Sequence, residues 1–483
     1  MIQALNGATR DVPPRRSSKR LAVWAVVLTS ANVVADVVIG SPMMVIPQLQ
    51  NHFDTDQAAW FNASAMFAGA IWSPLLAKSA DVYGTRRVLI GTLLLACAGA
   101  LLCLAAPNLW IFLGGRLLQG AAFAAVFLTV ALVMQICTTR LAMAVVGLVT
   151  SSSSIVGVVE PFLMKPIIDA FGFRGVFAVA ALLAAVAAVG VRLVIPESPV
   201  RTTARIDVGG ALLLGVGLGA VLAYVSLGGD RGWLSSGMAV LLAVGVFTLS
   251  SWVIHVLRVE EPVIDVRALA RPILLALVTL ILAAGSFRSM LQLVGIVAYV
   301  PSELGLGYGL GDGEAIAVLF GAANLGIAVG GIGAGWLAGR VGPAWPLLGG
   351  IVLGAAATIA MIAGISAPPL AVACSGMLGM AAGAIAASGY NLATSLAEPD
   401  RQGTTAGLVS VVVALGSVVF TIAGAEVLKA SRVPGVIADG APVSTATGVH
   451  VYVALSALLF VMAAVPAFAL ARGTRHRRIV LLE

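Results

Sequence analysis

The sequence predicts an all-α membrane protein: two six-helix bundles with two additional central helices between them, fourteen transmembrane helices in all. Three observations predict it. Of 483 residues, 60% are hydrophobic and only 10% charged, with a mean hydropathy of +1.05, too little polar surface for a soluble domain. Apolar runs of about 18 residues or more, long enough to cross a bilayer, recur about fourteen times. A polar interruption from Ala77 to Arg87, AKSADVYGTRR, has a decayed second copy at Gly335 to Pro343, GWLAGRVGP, as a duplicated half would leave.

In chain order, residues 1–20 form a basic tail containing Arg15, Arg16, Lys19 and Arg20, too polar to hold a fixed structure. The first apolar run, Leu21 to Val45, is too long for a signal-peptide core and is expected to remain as an uncleaved helix. With it, the spans Trp60 to Ala80, Val88 to Ala106, Leu109 to Ile136, Leu141 to Ile168 and Gly175 to Ile195 make an N-terminal bundle over residues 21–195. A linker, 196–271, contains the two added spans, Gly209 to Leu227 and Leu234 to Leu257. The C-terminal bundle, 272–470, holds Ile273 to Val300, Ala315 to Ala338, Trp345 to Ile365, Pro369 to Leu396, Thr404 to Leu428 and Val449 to Leu470, and a second basic tail covers 471–483. The Gly-, Pro- and Ser-rich stretch from Lys429 to Gly448 reads as a mobile surface loop.

Charge fixes the expected orientation. With both termini inside, the inner segments hold 21 of the 28 Lys and Arg, and the outer loops hold only Arg174, Arg231, Lys429 and Arg432. Basic residues accumulate on the cytoplasmic side of short loops, so the chain is expected in the cell (inner or plasma) membrane with both ends cytoplasmic.

Other function classes are disfavoured. The net charge of +7 is spread over short loops and tails, not gathered into a nucleic-acid-binding patch. Cys97, Cys103, Cys137 and Cys374 lack paired spacing, and His52, His255, His450 and His476 form no ligand cluster; no metal site is expected. None of the lysines follows a glycine, so there is no phosphate-binding loop and no direct use of ATP. No cofactor is expected; the proton gradient would supply the energy, and the chain is expected to be no enzyme.

Asp81, Gly84, Arg86 and Arg87, with Ala77 where a first glycine is expected, resemble the loop between helices 2 and 3 of the major facilitator superfamily. Gly335, Arg340 and Gly342 preserve the second copy, with Gly339 in place of the aspartate. Asp207-Val-Gly-Gly, Gly232-Trp233 and Glu261-Pro262-Val-Ile-Asp265 around the added spans resemble the fourteen-helix drug:proton antiporter family. That resemblance implies a major facilitator fold working by alternating access. It also implies that Asp81, Gly84, Arg86, Arg87 and Arg340 act in conformational gating, with Gln119, Gly120 and Pro161. Asp36, followed by Pro42 and Pro47, resembles the family's first-helix signature, and Arg116-Leu-Leu-Gln119-Gly120 its fourth-helix motif, thought to support proton coupling. The fifth span departs from the family: Val156-Gly157-Val-Val-Glu160-Pro161 keeps the proline and loses the glycines, after the serine run Ser151 to Ser154.

Charges inside the hydrocarbon cost a few kcal/mol each and so ask for a partner or a function. Asp36 and Arg116 fall at the same depth, so the sequence predicts that Asp36 carries the proton and Arg116, paired with it, modulates it. Glu160 is either a second proton or substrate group or a partner of Arg288, and Lys165 is spaced to pair with Asp169. Asn32, Arg288, Gln292, Asn324 and Tyr390 are the expected substrate contacts, with Phe67, Met66, Trp72, Phe287, Met290 and Tyr299 as further lining or packing groups. An arginine in the cavity favours an anionic or zwitterionic ligand. The expected function is proton-coupled efflux of an amphipathic or drug-like small molecule by a monomer in the lipid bilayer. The alternatives are a proton-coupled importer or lipid flippase and, from another class, a non-transporting membrane sensor.

Overall fold

The computed structural model describes residues 18–54, 59–198, 207–259, 262, 270–298, 300–304, 306–310, 313–398, 401–438 and 441–480. Arg15, Arg16, Arg201, Arg205, Glu261, Asp265, Arg267 and Tyr299 lie outside them, as do the side chains of Met66, Phe67 and Pro161.

The chain is helical almost throughout. Helix α1 (Ser18–Gly40) tightens into a 3-10 turn at Ser41–Val45 and continues as α2 (Ile46–Phe53); Pro42 and Pro47 remove amide donors there and interrupt the regular ladder. Helices α3 (Ala59–Tyr83) and α4 (Thr85–Leu104) meet at Gly84, whose φ of 101° lies where only glycine is unstrained. Asn108 caps α5 (Leu109–Gln119) by accepting a 3.0 Å hydrogen bond from the Ile111 amide. A 3-10 turn, Gly120–Phe123, joins α5 to α6 (Ala124–Ile136). Helix α7 (Thr139–Val194) contains two expected spans in one run, broken only at Gly172 (φ 62°, ψ −158°). Helices α8 (Val208–Arg231) and α9 (Ser236–Arg258) follow. The second half comprises α10 (Arg271–Ala298), α11 (Gly313–Val341), α12 (Ala344–Gly364), α13 (Pro368–Leu396), α14 (Gln402–Ala430) and α15 (Ala446–Val480).

Eleven helical stretches among the described residues are long and apolar enough to cross a membrane. Helices α1, α3 and α8, of 23, 25 and 24 residues, stand outside that set. The protein is a multi-pass membrane protein.

The described residues of the stretch expected to be a mobile loop include two strands. Strands β1 (Arg432–Ala438) and β2 (Ala441–Ser444) pair antiparallel, with Ala438 opposite Ala441. The Tyr308 hydroxyl donates to the Ser444 carbonyl at 2.6 Å and ties the hairpin to the α10–α11 connection. The β-branched residues Val433, Val436, Ile437 and Val443 favour strands, and the turn residues around them obscure that signal.

Helices α1–α7 pack chiefly among themselves, as do α10–α15. The two sets meet along α7 with α11 and α3 with α14. At the first seam glycines let backbones touch: a methyl group on Gly335 would sit 2.7 Å from the Met143 carbonyl, and one on Gly339 2.7 Å from the Arg140 carbonyl. Asn391 of α13 donates to the Met143 carbonyl at 3.1 Å. These contacts gather toward the basic end, the one that carries Arg86, Arg87, Arg140, Arg340 and Arg401. At the other end of the first half, Phe112 stacks edge-on against Phe61 and Phe177, with ring centroids 5.6 and 5.3 Å apart.

Candidate functional site

Groups of polar residues interrupt the apolar interior between helices, and three of them bear on function. The first is a seam between α1 and α7. Asn32, one turn before Asp36, is fully buried and donates to the Val149 carbonyl and the Ser152 hydroxyl, both at 2.9 Å. The Asp36 carboxyl is hydrogen-bonded to Ser153 and lies close enough to Glu160 to interact with its charge, while one of its oxygens is buried without a hydrogen-bond partner. Farther along, the Ser41 hydroxyl donates to the Glu160 carboxyl, which also packs against Gly40. Two carboxyl groups thus share one interface, each bonded to a serine on the facing helix.

Arg116 does not pair with Asp36, contrary to the sequence expectation. Its guanidinium is fully buried and donates to the backbone carbonyls of Phe61 and Val38, both at 2.8 Å, and to the Gln119 side chain at 2.6 Å. It clasps α1, α3 and α5. Depth along a helix is a correct guide to the slab in which the two charges lie, but it says nothing about rotation. Asp36 turns toward α7, and Arg116 reaches the α1 backbone two residues later. Gln119 carries one hydrogen bond from Arg116, and its own amide nitrogen is buried without a partner. Gly120 is needed for close approach: a methyl there would meet the Ala65 carbonyl at 2.6 Å and the Gly69 amide at 2.8 Å.

Two further expected pairs are not made. Glu160 bonds Ser41 and forms no ion pair with Arg288, and Lys165 and Asp169, both at the helix surface, form none with each other. Exposed partners at a helix surface gain little from pairing.

The second group is a cavity of about 210 Å³ bounded mainly by α10, α13 and α14, with one residue each from α7 and α11. Leu280, Phe287, Ile385 and Val413 supply apolar wall, and Arg288, Tyr390, Ser154 and Ser417 the polar points. Arg288 lines this cavity with its side chain exposed through it, and it makes no hydrogen bond or ion pair with any described residue. The Tyr390 hydroxyl is 2.6 Å from that of Ser410. Of the expected substrate contacts, Arg288 and Tyr390 line this cavity. Asn32 holds the α1–α7 seam, Asn324 lies beside Gly157 where α11 meets α7, and Gln292 keeps a buried, unpartnered oxygen elsewhere on α10. Phe287 lines the cavity, Met290 is core, and Trp72 donates to the Leu117 carbonyl at 3.1 Å.

The third group closes the basic end. Asp81, at the end of α3, accepts from the Gly403 amide at 3.1 Å, the Thr404 amide at 3.0 Å and the Thr404 hydroxyl, and so caps the N-terminus of α14 in the other half. Arg86 and Arg87 work within their own half. Arg86 donates to the Arg192 carbonyl, and Glu197 accepts from the Arg86 amide at 3.3 Å and faces Arg87 at 3.5 Å. Arg340 stacks over Trp336, 3.5 Å from the ring centroid. Pro161 lies within the helical run of α7.

Sequence reasoning misses Ser41, Ser153, Ser154 and Glu197. The serine run is visible; nothing in it distinguishes residues that face a carboxyl group from residues that face a void.

The sequence profile of the Major Facilitator Superfamily matches residues 28–421. The chain is similar to the uridine/deoxyuridine transporter of Lactococcus lactis, 29% identical over 68% of this chain and 70% of that protein. It also resembles a multidrug resistance protein B homolog of Mycobacterium tuberculosis, 31% identical over 57% of this chain, and spans about half (53%) of that protein's length. Among solved structures, the human organic anion transporter MFSD10 superposes with a TM-score of 0.64 at 15% identity, covering 94% of this chain and all (100%) of that one. The E. coli fucose:proton symporter gives 0.63 at 14% identity, over 92% and 98%. At such identities the structural likeness is one of fold.

Proposed function

Because this chain belongs to the Major Facilitator Superfamily, we propose that it is a proton-coupled secondary transporter that exports an amphipathic or drug-like small molecule by alternating access. It is a transporter and not an enzyme. The proposal extends to fourteen membrane crossings, the eleven apolar stretches together with α1, α3 and α8. Residues 21–195 and 272–470 then form the two rocking bundles and 196–271 the added pair. We place the protein in the cell membrane with the basic end cytoplasmic, on the strength of the lysine and arginine distribution, and take the monomer as the transporting unit.

The observation that carries the reading is the α1–α7 seam. A carboxylate at Asp36 accepts a hydrogen bond from Ser153; once protonated, it becomes a donor and its charge repulsion with Glu160 vanishes. Ser153 adjoins Ser154, which lines the cavity. Loading a proton therefore alters the wall against which a substrate rests, and a substrate in the cavity alters the groups around the proton. This gives the two sites reciprocal coupling. Arg116 acts as a fixed clasp that keeps α1, α3 and α5 together while this exchange occurs.

Packing at the basic end supports a resting state closed on that side, with Asp81 as the latch and the α7–α11 glycines as the seal. The glycines missing from the fifth span are replaced in this role by Gly147, Gly331, Gly335 and Gly339. The experiment is flux in proteoliposomes under an imposed pH gradient. Asp36→Asn is expected to abolish gradient-driven movement, and its retention would refute the carrier role. The sign of the flux distinguishes export from import, and no flux under any gradient would favour a sensor.

A further inference from the structure

We propose that the transported compound is an amphipathic anion whose acidic group sits between Arg288 of the second half and Ser154 of the first. The proposal deepens the transport reading above and rests on it. Two donors converge on the cavity without an acceptor: Arg288 has no hydrogen bond or ion pair with a described residue, and Ser154 makes no hydrogen bond with one. Among the described residues no Asp or Glu lines the void, so nothing in its wall balances the guanidinium. A guanidinium presented to an open void with apolar walls and no acidic neighbour attracts an oxyanion, which replaces the water around it. Its planar fork suits a carboxylate or a phosphate, and the hydroxyl of Ser154 adds a third donor.

At about 1.5 Å per residue, Arg288 lies roughly 26 Å from the start of α10, Ser154 roughly 22 Å from the start of α7 and Ser417 roughly 22 Å from the start of α14, all measured from the basic end. Leu280 and Val409 lie nearer to it, at roughly 14 and 10 Å. Three polar groups thus sit at one level on three helices, while Tyr390, bonded to Ser410, marks a second polar point roughly 9 Å from the basic end of α13. A volume of about 210 Å³ admits a compact molecule such as a substituted aromatic acid, not a long-chain lipid.

The test measures equilibrium binding to the purified full-length protein in detergent, without any gradient, using three probes that differ only in the head: 4-phenylbutyrate, 4-phenylbutanol and 4-phenylbutylamine. The acid is expected to bind about 10- to 100-fold more tightly than the alcohol, and the amine more weakly than either. In Arg288→Gln the acid and alcohol should converge while the alcohol is unaffected, Arg288→Lys should restore part of the gap, and Ser154→Ala should narrow it a few-fold. An amine that binds as tightly as the acid, an unchanged gap in Arg288→Gln, or no saturable binding of any probe would overturn the proposal. If Arg288→Gln does not fold, the order of the three probes on the wild-type protein decides it. Anion-selective binding without proton-driven flux would sink only the transport reading; flux of a cation with no anion preference would sink only this one.

Discussion

The two halves share a helical plan and divide its chemistry unequally. In α1–α7 the interior is bonded: Asn32, Asp36 and Glu160 each meet a serine on a facing helix, and Arg116 is satisfied by Phe61, Val38 and Gln119. In α10–α15 the buried bonds of Ser286, Ser289 and Tyr452 involve hydroxyls and backbone alone, glycines bring backbones together, a void opens, and the arginine that lines it is left unengaged by any described residue. The repeated loop divides in the same way. Asp81 makes three hydrogen bonds to the opposite half, whereas Gly339, at the matching place, presses on the Arg140 backbone, where any side chain would collide. On the function proposed above, the two halves divide the work: proton chemistry in one, volume and contact in the other.

The sharpest way to break this division is to remove titration from the first half. Asp36→Asn keeps the size and the hydrogen-bonding capacity toward Ser153, so the protein should fold and bind substrate while pH-gradient-driven flux falls to background. Glu160→Gln is the companion: a flux retained at a changed proton-to-substrate ratio would show a second titrating site, and an unchanged ratio would confine the chemistry to Asp36.

Next in size is Arg116→Ala. It strips charge-assisted bonds from two buried carbonyls and an amide, each loss costing about 1–3 kcal/mol, so the melting temperature in detergent should drop by many degrees. If the variant instead melts normally but loses only proton coupling, the contrast between clasp and carrier is wrong.

Asp81→Ala removes a helix cap that spans both halves. Caps contribute about 1–2 kcal/mol, so the balance between states closed and open at the basic end should shift by roughly 5- to 30-fold. A cysteine placed at Gln402 and probed with a water-soluble maleimide reads that shift when its accessibility is compared with and without the Asp81→Ala change. Gly335→Val should act in the same direction from the second half by steric means alone and without any pH dependence. The smallest effect is expected at Ser410→Ala, which deprives Tyr390 of one hydroxyl partner. A neutral hydrogen bond contributes about 1 kcal/mol, which limits the change in substrate KM to several-fold with proton stoichiometry intact.

Much of this molecule is legible in its residues because membrane physics leaves few choices. The apolar runs, the interruption at Gly84 and the pair of related loops follow from length, hydropathy and turn chemistry, and the helices fall where those signals put them. The run from Leu141 to Ile195 reads as two spans, and the chain turns at Gly172 within it. What cannot be read is azimuth. Asp36 and Arg116 occupy one slab, yet their side chains serve different neighbours, because helix rotation is set by packing partners remote in sequence. The serine partners are hidden for the same reason: a hydroxyl in a helix commonly bonds its own backbone, as Ser73 does to Gly69 at 2.7 Å, and only the fold distinguishes it from Ser41. The hairpin after α14 is lost to composition, its glycines and prolines outweighing the β-branched residues between them.

Helix α8 lies over the line where the halves meet. Ala211, Leu214 and Leu218 rest on Leu75 of α3 and on Leu408, Val411 and Leu415 of α14, with its broader contact on α3. A passenger seated on two vehicles must choose one when they separate. Its larger footing makes α3 the natural carriage, so a covalent tether from α8 to α3 should leave turnover untouched, while one from α8 to α14 should arrest it as a parking brake would.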